Sequence, residues 1–463
     1  MSTVLAEQNV YAAQFSTVRE TLPGSHLPWI QQLRRKGIDD FLALGFPTTK
    51  LENWKYTNVA PIRRITFAPA TVAAVYDRRG SAGETSPAVI DPSPRLVFVN
   101  GWFAPALSSI TVGAVCDRAV TDRAHSSNDG SSIHLLNISE ALRDPERASV
   151  IERHLGRYTS TADHAFAAWN SALFTDGAYI EVPRGFVFEQ PIHLVFVSAG
   201  VSEPWACHPR NLIVVGESSQ ITFVESFLGS TDQVYFTNAV TEIAACSGAV
   251  IDYYKIEREA PQSFHVAVIN AHLDRDASLT SHSISLGGSL VRNDLNVWLD
   301  GEGSHCTLNG LFAVDGQRLV DNHTRIDHIR PHASSRELYK GVLAGNAEGV
   351  FNGAIAVREN AQKSDAVQYS KNLLLSRQAQ INTKPQLEIR NNDVRCFHGA
   401  TIGQIDADAM FYLKSRGIDE LDAQRILVRG FAGEIIDGIR VRSLRDQLER
   451  LLDDWLRRVW EAR

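Results

Sequence analysis

The sequence predicts a mainly β protein in which a strand-rich core lies between α-helical regions at the two ends of the chain. From Ala178 to about Ile405, runs of Val, Ile, Thr, Phe and Tyr alternate with turn residues, and no convincing long helical pattern interrupts them. Turn signals recur at nearly even steps, which is typical of repeated strand-turn units. These observations favour a β-solenoid over a large β-sandwich, and they argue against a parallel α/β sheet.

The first region, residues 1–176, is predicted to be mostly helical with some strands. Helical patterns run to about Lys55, interrupted by connectors that contain Pro and Gly, and return between Asn137 and Thr175. Two polar stretches, Asp77 to Pro87 and Asp122 to Ser132, are interpreted as exposed loops.

The core, residues 177–405, carries the strands. In the segment "SLVRNDLNVWLDG", apolar and polar residues occupy opposite parities, as in a half-buried strand. The apolar parity contains Val291, Leu295, Val297 and Leu299, and the polar parity contains Arg292, Asp294 and Asn296. Turns are predicted at Leu273–Asp276, Leu286–Gly288, Leu299–Gly303 and Val314–Gly316.

The last region, residues 406–463, is predicted to be a helical domain. One apolar stripe at helical spacing consists of Leu444, Leu448, Leu451, Leu452, Trp455 and Val459. A second stripe consists of Leu421, Val428, Phe431 and Ile435, and it suits either the core of this domain or a partner's surface.

Composition excludes several classes of protein. The net charge of -7 comes without a basic stripe, which argues against nucleic acid as a partner. The five cysteines are an odd number without a Cys-x-x-Cys pair, so we expect a reducing cytosol rather than a disulfide framework. No signal peptide is apparent, and the charge-free run from Leu96 to Cys116 is broken by turn residues, which favours strands over a membrane span.

Motifs of several enzyme classes are missing from the sequence. No P-loop occurs, and "GEG" at Gly301–Gly303 lacks the third glycine and the helix of a dinucleotide fingerprint. There is no nucleophile elbow and no His-Glu-x-x-His. We therefore expect a protein that is not an enzyme.

Three histidines, His323, His328 and His332, lie within ten residues of each other. In a continuous strand, His323 and His328 would point to opposite faces, so they could not share a metal ion without a bulge. We expect histidines on the sheet surface or at an interface.

Cys396 and His398 are two residues apart, a spacing that places both side chains on one face of a strand. The two residues share a parity, so in a strand their side chains leave one face roughly 7 Å apart. A thiolate and an imidazole suit iron or a similar metal, but they supply only two of about four ligands. The pair fits either a transient site at an interface or ordinary packing of a buried thiol.

The segment Tyr369 to Asp406, "YSKNLLLSRQAQINTKPQLEIRNNDVRCFHGATIGQID", closely resembles the signature of the SufB/SufD family of iron-sulfur cluster assembly scaffolds. Further segments that look like this family, in its order, are "GFPTTKLENWKYTN", "VFVNGWF", "DNHTRIDH" and "RGFAGEI". Cys396, Gly399 and Ala400 follow the SufD form, whereas SufB-like sequences carry a Glu-His-Glu-Ala-Thr type of string there. The resemblance covers nearly the whole chain.

The resemblance implies a right-handed parallel β-helix core flanked by N-terminal and C-terminal α-helical regions. It implies a SufB partner near the C-terminal end of the β-helix and the ATPase SufC on the C-terminal helical domain, in a cytoplasmic SufBCD complex. It also implies a transient iron-sulfur cluster or iron shared with SufB, with His398 as a ligand and Cys396 as a less certain one. A flavin is associated with the family's complex. "ENWKYT" at Glu52–Thr57 is interpreted as a helix stop and docking segment with Trp54 and Tyr56 as apolar anchors.

Two alternatives remain open from the residues. The chain could be a stand-alone metal-binding protein that uses Cys396 and His398, or a purely structural subunit. The sequence also leaves open a homodimer of the isolated chain.

Overall fold

The computed structural model describes residues 2–70, 94–109, 132–200, 203–229 and 233–461. The predicted loop at Asp77–Pro87 lies outside these residues, as do Cys116 and all but the last residue of the loop predicted at Asp122–Ser132.

Helices lie toward both ends of the chain. The first group is α1 (Ser2–Val18), α2 (Pro28–Leu44), α3 (Ala60–Arg63), α4 (Ile138–Ala141), α5 (Pro145–His154) and α6 (Ala165–Leu173), with short 3-10 helices at Glu52–Trp54 and Pro105–Leu107. The C-terminal group is α7 (Ala407–Ser415), α8 (Glu420–Asp437) and α9 (Arg442–Glu461). None of the described helices is both long and apolar enough to cross a membrane.

Strands fill the middle of the chain. The short early strands are β1 (Ala68–Pro69), β2 (Arg95–Val99), β3 (Trp102–Phe103), β4 (His134–Asn137), β5 (Ala178–Val182), β6 (Ile192–Ser198), β7 (Trp205–Cys207) and β8 (Arg210–Val215). The longer ones are β9 (Gln220–Gly229), β10 (Tyr235–Ala245), β11 (Val250–Arg258), β12 (Phe264–Leu273), β13 (Ser278–Ser285), β14 (Leu290–Leu299), β15 (His305–Val314), β16 (Leu319–His328), β17 (Ser334–Leu343), β18 (Glu348–Val357), β19 (Asp365–Leu374), β20 (Gln380–Ile389) and β21 (Arg395–Gly403).

The strands form a parallel β-solenoid of two facing sheets. Even-numbered strands from β8 to β20 lie side by side in sheet A, and odd-numbered strands from β9 to β21 lie side by side in sheet B. Leu319 pairs with Leu290 on one side and with Glu348 on the other, 29 residues away in each direction. The chain therefore coils by one turn for about every two strands, which confirms the predicted solenoid and excludes the sandwich.

The predicted turns lie where the chain passes from one sheet to the other. Leu273–Asp276, Leu286–Gly288, Leu299–Gly303 and Val314–Gly316 all connect consecutive strands. Gly303 and Gly316 have φ angles of 73° and 66° in these turns, a region that glycine enters without steric cost. The even spacing of these residues is the sequence signal of the repeating turn.

The interior between the sheets is mostly apolar. Val297, Ile326 and Ile355 stack in adjacent strands of sheet A, each in register with the next. All three are buried in the central cluster, together with Leu295 and Leu299. The apolar parity predicted for β14 thus faces inward.

The N-terminal region covers the outer face of sheet A, and this cover changes one expectation. Trp169 and Phe166 of α6 pack with Phe236 on β10. Beneath the same region, Arg292 and Asp294 on β14 are buried. The prediction that the polar parity of this strand faces solvent is wrong for these two residues, because a segment far away in sequence lies over them.

The C-terminal helices cover the outer face of sheet B. The α9 stripe packs there, with Leu444, Leu448, Leu452, Trp455 and Val459 buried and Leu451 partly buried. In α8, Val428 and Ile435 are buried and Phe431 is partly buried, whereas Leu421 is exposed. The second stripe is therefore core at three positions and surface at one.

Candidate functional site

The solenoid has an uncapped end at its C-terminal turn. Strand β20 pairs only with β18, and β21 pairs only with β19, so each leaves one edge without a strand among the described residues. We call this surface the open end. It consists of the inward-facing residues of these two strands, namely Ile381, Thr383, Pro385, Leu387, Ile389, Cys396, His398, Ala400 and Ile402.

The open end exposes apolar side chains that elsewhere in the solenoid are buried. Ile402 continues the inward parity of β21 but remains 52% exposed, because no further turn formed by the described residues lies over it. Ile389 is also exposed, and Leu387 is only partly buried against the central cluster. Unpaired strand edges beside such an apolar surface are a template for a further β-strand.

Cys396 and His398 both lie in β21 at this end. They are in register with Ala366 and Gln368 of β19, whose side chains are buried inside the solenoid, so both point along the inward face. Cys396 is half-buried and packs against the central cluster, whereas His398 is exposed. The shared face predicted for the pair is present, although the ligand role of either residue remains a prediction.

The environment of Cys396 disfavours the thiolate form of its side chain. Burial, followed by the nearby Asp365 carboxylate, raises the pKa of the Cys396 thiol above its ordinary value. At neutral pH it is therefore protonated, and a metal ion would have to displace that proton. The His398 side chain, by contrast, reaches solvent.

The described residues of one chain do not supply a full set of ligands for a metal ion. No group of three or more His, Cys, Asp or Glu side chains close enough to hold a metal ion occurs among the residues that the structure describes. A tetrahedral iron or cluster site needs about four ligands, so further donors would have to come from another molecule.

The three histidines of residues 323–332 do not lie at one place. His323 is on the outer face of sheet A, 3.0 Å from Asp321, and His332 is exposed in a turn. His328 points inward and its Nε2 lies 2.9 Å from the hydroxyl of Ser335. The expectation of opposite faces is confirmed, but the expectation of a surface or interface position is wrong for His328, which is completely buried.

A second exposed apolar surface lies on the C-terminal helices. We call it the helical patch and define it by Phe411 and Tyr412 of α7 with Leu421 and Ile426 of α8, all exposed, Phe411 by 75%. Of these four residues, only Leu421 belongs to the stripe predicted from the sequence. The adjacent aromatic pair "FY" in a short helix is the sequence signal for Phe411 and Tyr412.

A wide groove of about 1070 Å³ runs between the N-terminal region and the outer face of sheet A. Two of the arginines that line it are paired: Arg325 donates to Asp327 at 2.8 Å, and Arg292 donates to Asp294 at 2.7 Å. Asp294 also lies 3.2 Å from His164 Nε2 and Arg292 lies against the Trp54 ring, so this pair supports docking of the N-terminal region.

The fold places the chain among β-solenoid proteins with helical ends, and the comparisons narrow this class. Residues 196–431 match the model of the SufBD core domain of SUF-system iron-sulfur cluster assembly. Residues 5–71 and 103–194 match the model of the SufBD N-terminal region.

Individual proteins that are similar to this chain belong to the same family. The iron-sulfur cluster assembly protein SufD of Escherichia coli is 32% identical over 89% of both chains. A SufBD family protein of Synechocystis is 32% identical over 90% of this chain and 89% of its own, and the SufD protein of Bacillus subtilis is 24% identical over 92% and 93%. The chain belongs to the SufBD family, and this membership supports a SufD-like role in iron-sulfur cluster assembly.

Proposed function

We propose that this protein is a non-enzymatic scaffold subunit that helps to build iron-sulfur clusters at the open end of its solenoid. The observation that carries the proposal is the exposure of His398 on the last strand, beside unpaired strand edges and uncovered apolar side chains. The iron or cluster is cargo and not a resident cofactor, which suits a site that one chain leaves incomplete.

The partner at the open end is a SufB-like chain. Such a chain would offer a second solenoid whose last strands have the same spacing of donors and acceptors, so the sheets could continue from one subunit to the other. Exposed apolar residues at the centre of the contact, such as Ile402, would supply the driving force. Without this partner, the same surface would pair two copies of the present chain.

The ligands come from both chains. His398 would bind iron or a cluster iron through its imidazole, and Cys396 would add a thiolate once its proton has left. The partner would supply the remaining donors. A flavin can be expected only at the level of the complex, since no residue of this chain is assigned to it.

The ATPase SufC docks on the helical patch. The sequence carries no P-loop, so in this proposal ATP is hydrolysed on the partner protein. The patch would receive an apolar surface of that protein, and α8 is firmly joined to the solenoid because Lys340 on β17 donates to the carbonyl of Phe431 at 2.7 Å. Movement of docked ATPase subunits would thereby reach sheet B and the open end.

A reducing compartment fits this role, and we place the protein in the cytoplasm. Cys207, Cys246, Cys306 and Cys396, the cysteines that the structure describes, are all free thiols. Iron-sulfur chemistry depends on thiols of this kind.

Co-expression with a SufB and a SufC protein tests the proposal. We expect one complex to co-purify. Phe411→Asp in the helical patch should release the ATPase but keep the SufB-like chain, because the two surfaces are separate. The matched control is Leu44→Asp, at an exposed leucine of α2. A wild-type chain that stays alone, or a Phe411→Asp chain that keeps the ATPase, would contradict the respective contact.

A further inference from the structure

Behind His398, a file of polar side chains leads into the solenoid. His398 on β21 is in register with Gln368 on β19, which is in register with Glu337 on β17. Gln368 and Glu337 are buried, with 0% and 3% of their surfaces exposed. The file therefore runs from a buried carboxyl group through a buried amide to an exposed imidazole, along the inward face of sheet B.

Direct contacts join the inner part of this file. Gln368 Nε2 donates a hydrogen bond to Glu337 Oε2 at 2.5 Å. To make this bond, Gln368 reaches toward sheet A, where a side chain on Gly353 would place a Cβ only 2.3 Å from Nε2. Glycine at this position leaves the space that the amide occupies.

The same contacts leave two oxygen atoms without partners. Gln368 Oε1 and Glu337 Oε1 are buried and accept no hydrogen bond in the described part of the chain. An unpaired buried acceptor costs free energy, so a native structure normally gives it a donor. For Gln368 Oε1, the next residue in the file is His398, whose imidazole, when neutral, carries one N–H group.

Neutral groups surround Glu337 on the elements packed against it. The facing titratable groups are the Cys306 thiol on β15 and the Tyr339 phenol on β17, and burial raises the pKa of both. Thr324 on β16 is a further neutral neighbour. With no cation among the causes acting on it, burial raises the pKa of Glu337 to about 7, so its charge changes within the physiological range.

We propose that Glu337 and Gln368 are positioning residues for His398, and that ionisation of Glu337 sets the direction of the Gln368 amide. An ionised Glu337 accepts from the Gln368 NH2 group, as observed, which leaves Oε1 to accept an imidazole N–H and frees the other ring nitrogen for iron. A protonated Glu337 donates its O–H to Oε1, and the NH2 group then faces the imidazole lone pair. The proton leaves to solvent at the open end.

We call this coupling from Glu337 through Gln368 to His398 the relay. It rests on the proposed function and deepens it, since it prepares the ring nitrogen that would bind iron, but it can be tested without any metal. In the full chain labelled with ¹⁵N-histidine, the signals of His398 can be assigned by their loss in His398→Ala. We expect the ring tautomer of His398 to change with a midpoint near pH 7 in the wild type, separately from protonation of the ring. In Glu337→Gln and in Gln368→Leu this second transition should be absent.

Matched variants keep the test decisive. Glu348→Gln changes an exposed carboxyl at the start of β18 and should leave the His398 titration as in the wild type. Gln368→Leu removes the amide and leaves an apolar side chain of similar size. It therefore remains informative if Glu337→Gln does not fold. Identical His398 titrations in the wild type and both inner variants would overturn the proposal.

A second measurement separates the relay from the ligand role. In the assembled complex, the affinity for ferrous ion should rise between pH 6 and pH 8 about tenfold more in the wild type than in Glu337→Gln, which corresponds to about one pKa unit of coupling. A tautomer transition without iron binding at His398 would retain the relay and reject the ligand role. Equal rises in affinity with pH in the two proteins would argue against the relay.

Discussion

The guanidinium of Arg292 lies 3.8 Å from the centre of the Trp54 ring. This contact joins the N-terminal segment to the outer face of sheet A, because the same guanidinium donates to the backbone carbonyl of Asn53 at 2.7 Å and to Asp321 at 2.8 Å. Cation-π contacts gain strength when they are desolvated. The interpretation of "ENWKYT" as a docking segment thus has a specific partner on the solenoid.

The first prediction concerns the two aromatic residues of this segment. Trp54 is 7% exposed, whereas Tyr56 is 39% exposed, so the expectation that both are anchors is wrong for Tyr56. Trp54→Ala should lower the free energy of unfolding by about 3–5 kcal/mol, since it leaves a cavity and an uncovered Arg292. Tyr56→Ala is the control and should change it by less than about 0.5 kcal/mol. Urea denaturation measures both; equal effects would contradict the anchor role of Trp54.

The second prediction concerns the attachment of α8 to sheet B. The Lys340 side chain is 3% exposed, forms an ion pair with Glu434 and lies 4.6 Å from the centre of the Phe431 ring. Lys340→Met should remove the second donor to the Phe431 carbonyl, which keeps its helical N–H partner, together with the ion pair to Glu434, at a cost of about 1 kcal/mol. Hydrogen exchange of the α8 amides should become faster. Lys371→Met, at a half-exposed lysine 3.8 Å from Glu434, is the control, and equal exchange in the two variants would exclude a special role for Lys340.

The third prediction concerns pH and stability. Burial raises the pKa of Glu337 from 4.5 to about 7, so the folded chain holds this proton more tightly than the unfolded chain. Between pH 4.5 and 7 the unfolded chain ionises first, and the free energy of unfolding falls as pH rises. Glu337→Gln has no carboxyl group at this position, so its free energy of unfolding should not show this decrease.

The variant should therefore match the wild type near pH 4 and exceed it by about 3 kcal/mol at pH 8. Glu257 and Glu259, whose pKa values burial also raises to about 7, contribute equally to both proteins. Chemical denaturation at several pH values measures the difference. A constant difference across this range would show that Glu337 ionises normally in the folded chain.

The fourth prediction concerns the open end. Ile402→Asp should abolish association with a SufB-like chain and of the isolated protein with itself, because a charge in the centre of an apolar contact would lose its hydration. It should not unfold the chain, since Ile402 is already half exposed. Val187→Asp, at an exposed valine of an early solenoid turn, should associate normally. Analytical ultracentrifugation distinguishes the outcomes, and association of Ile402→Asp would locate the contact elsewhere.

Much of the solenoid could be predicted because its turns repeat. Gly303 and Gly316 mark the ends of strands locally, and the inward parity of Val297 follows from alternation alone. The burial of Arg292 could not be predicted in this way, since its cover comes from Trp54, far away in the sequence.

The same distinction applies to the candidate site. Cys396 and His398 are two residues apart, so their shared face could be predicted from the strand period. Glu337 and Gln368 are 31 residues apart, and they meet only because the register of neighbouring turns brings them together. Exposure of His398 likewise depends on which turn is the last, and no local pattern carries that information.

The most direct test of the central claim is cluster formation by an assembled complex in which His398 is replaced by Ala. We expect the complex to assemble normally, because His398 is exposed and contributes little to the core, but to bind iron poorly and to form clusters at a strongly reduced level under anaerobic reconstitution. His305→Ala, at a partly buried histidine of β15 inside the same sheet, provides a control for histidine loss. Undiminished iron binding and cluster formation in His398→Ala would contradict the claim that this imidazole holds the cargo.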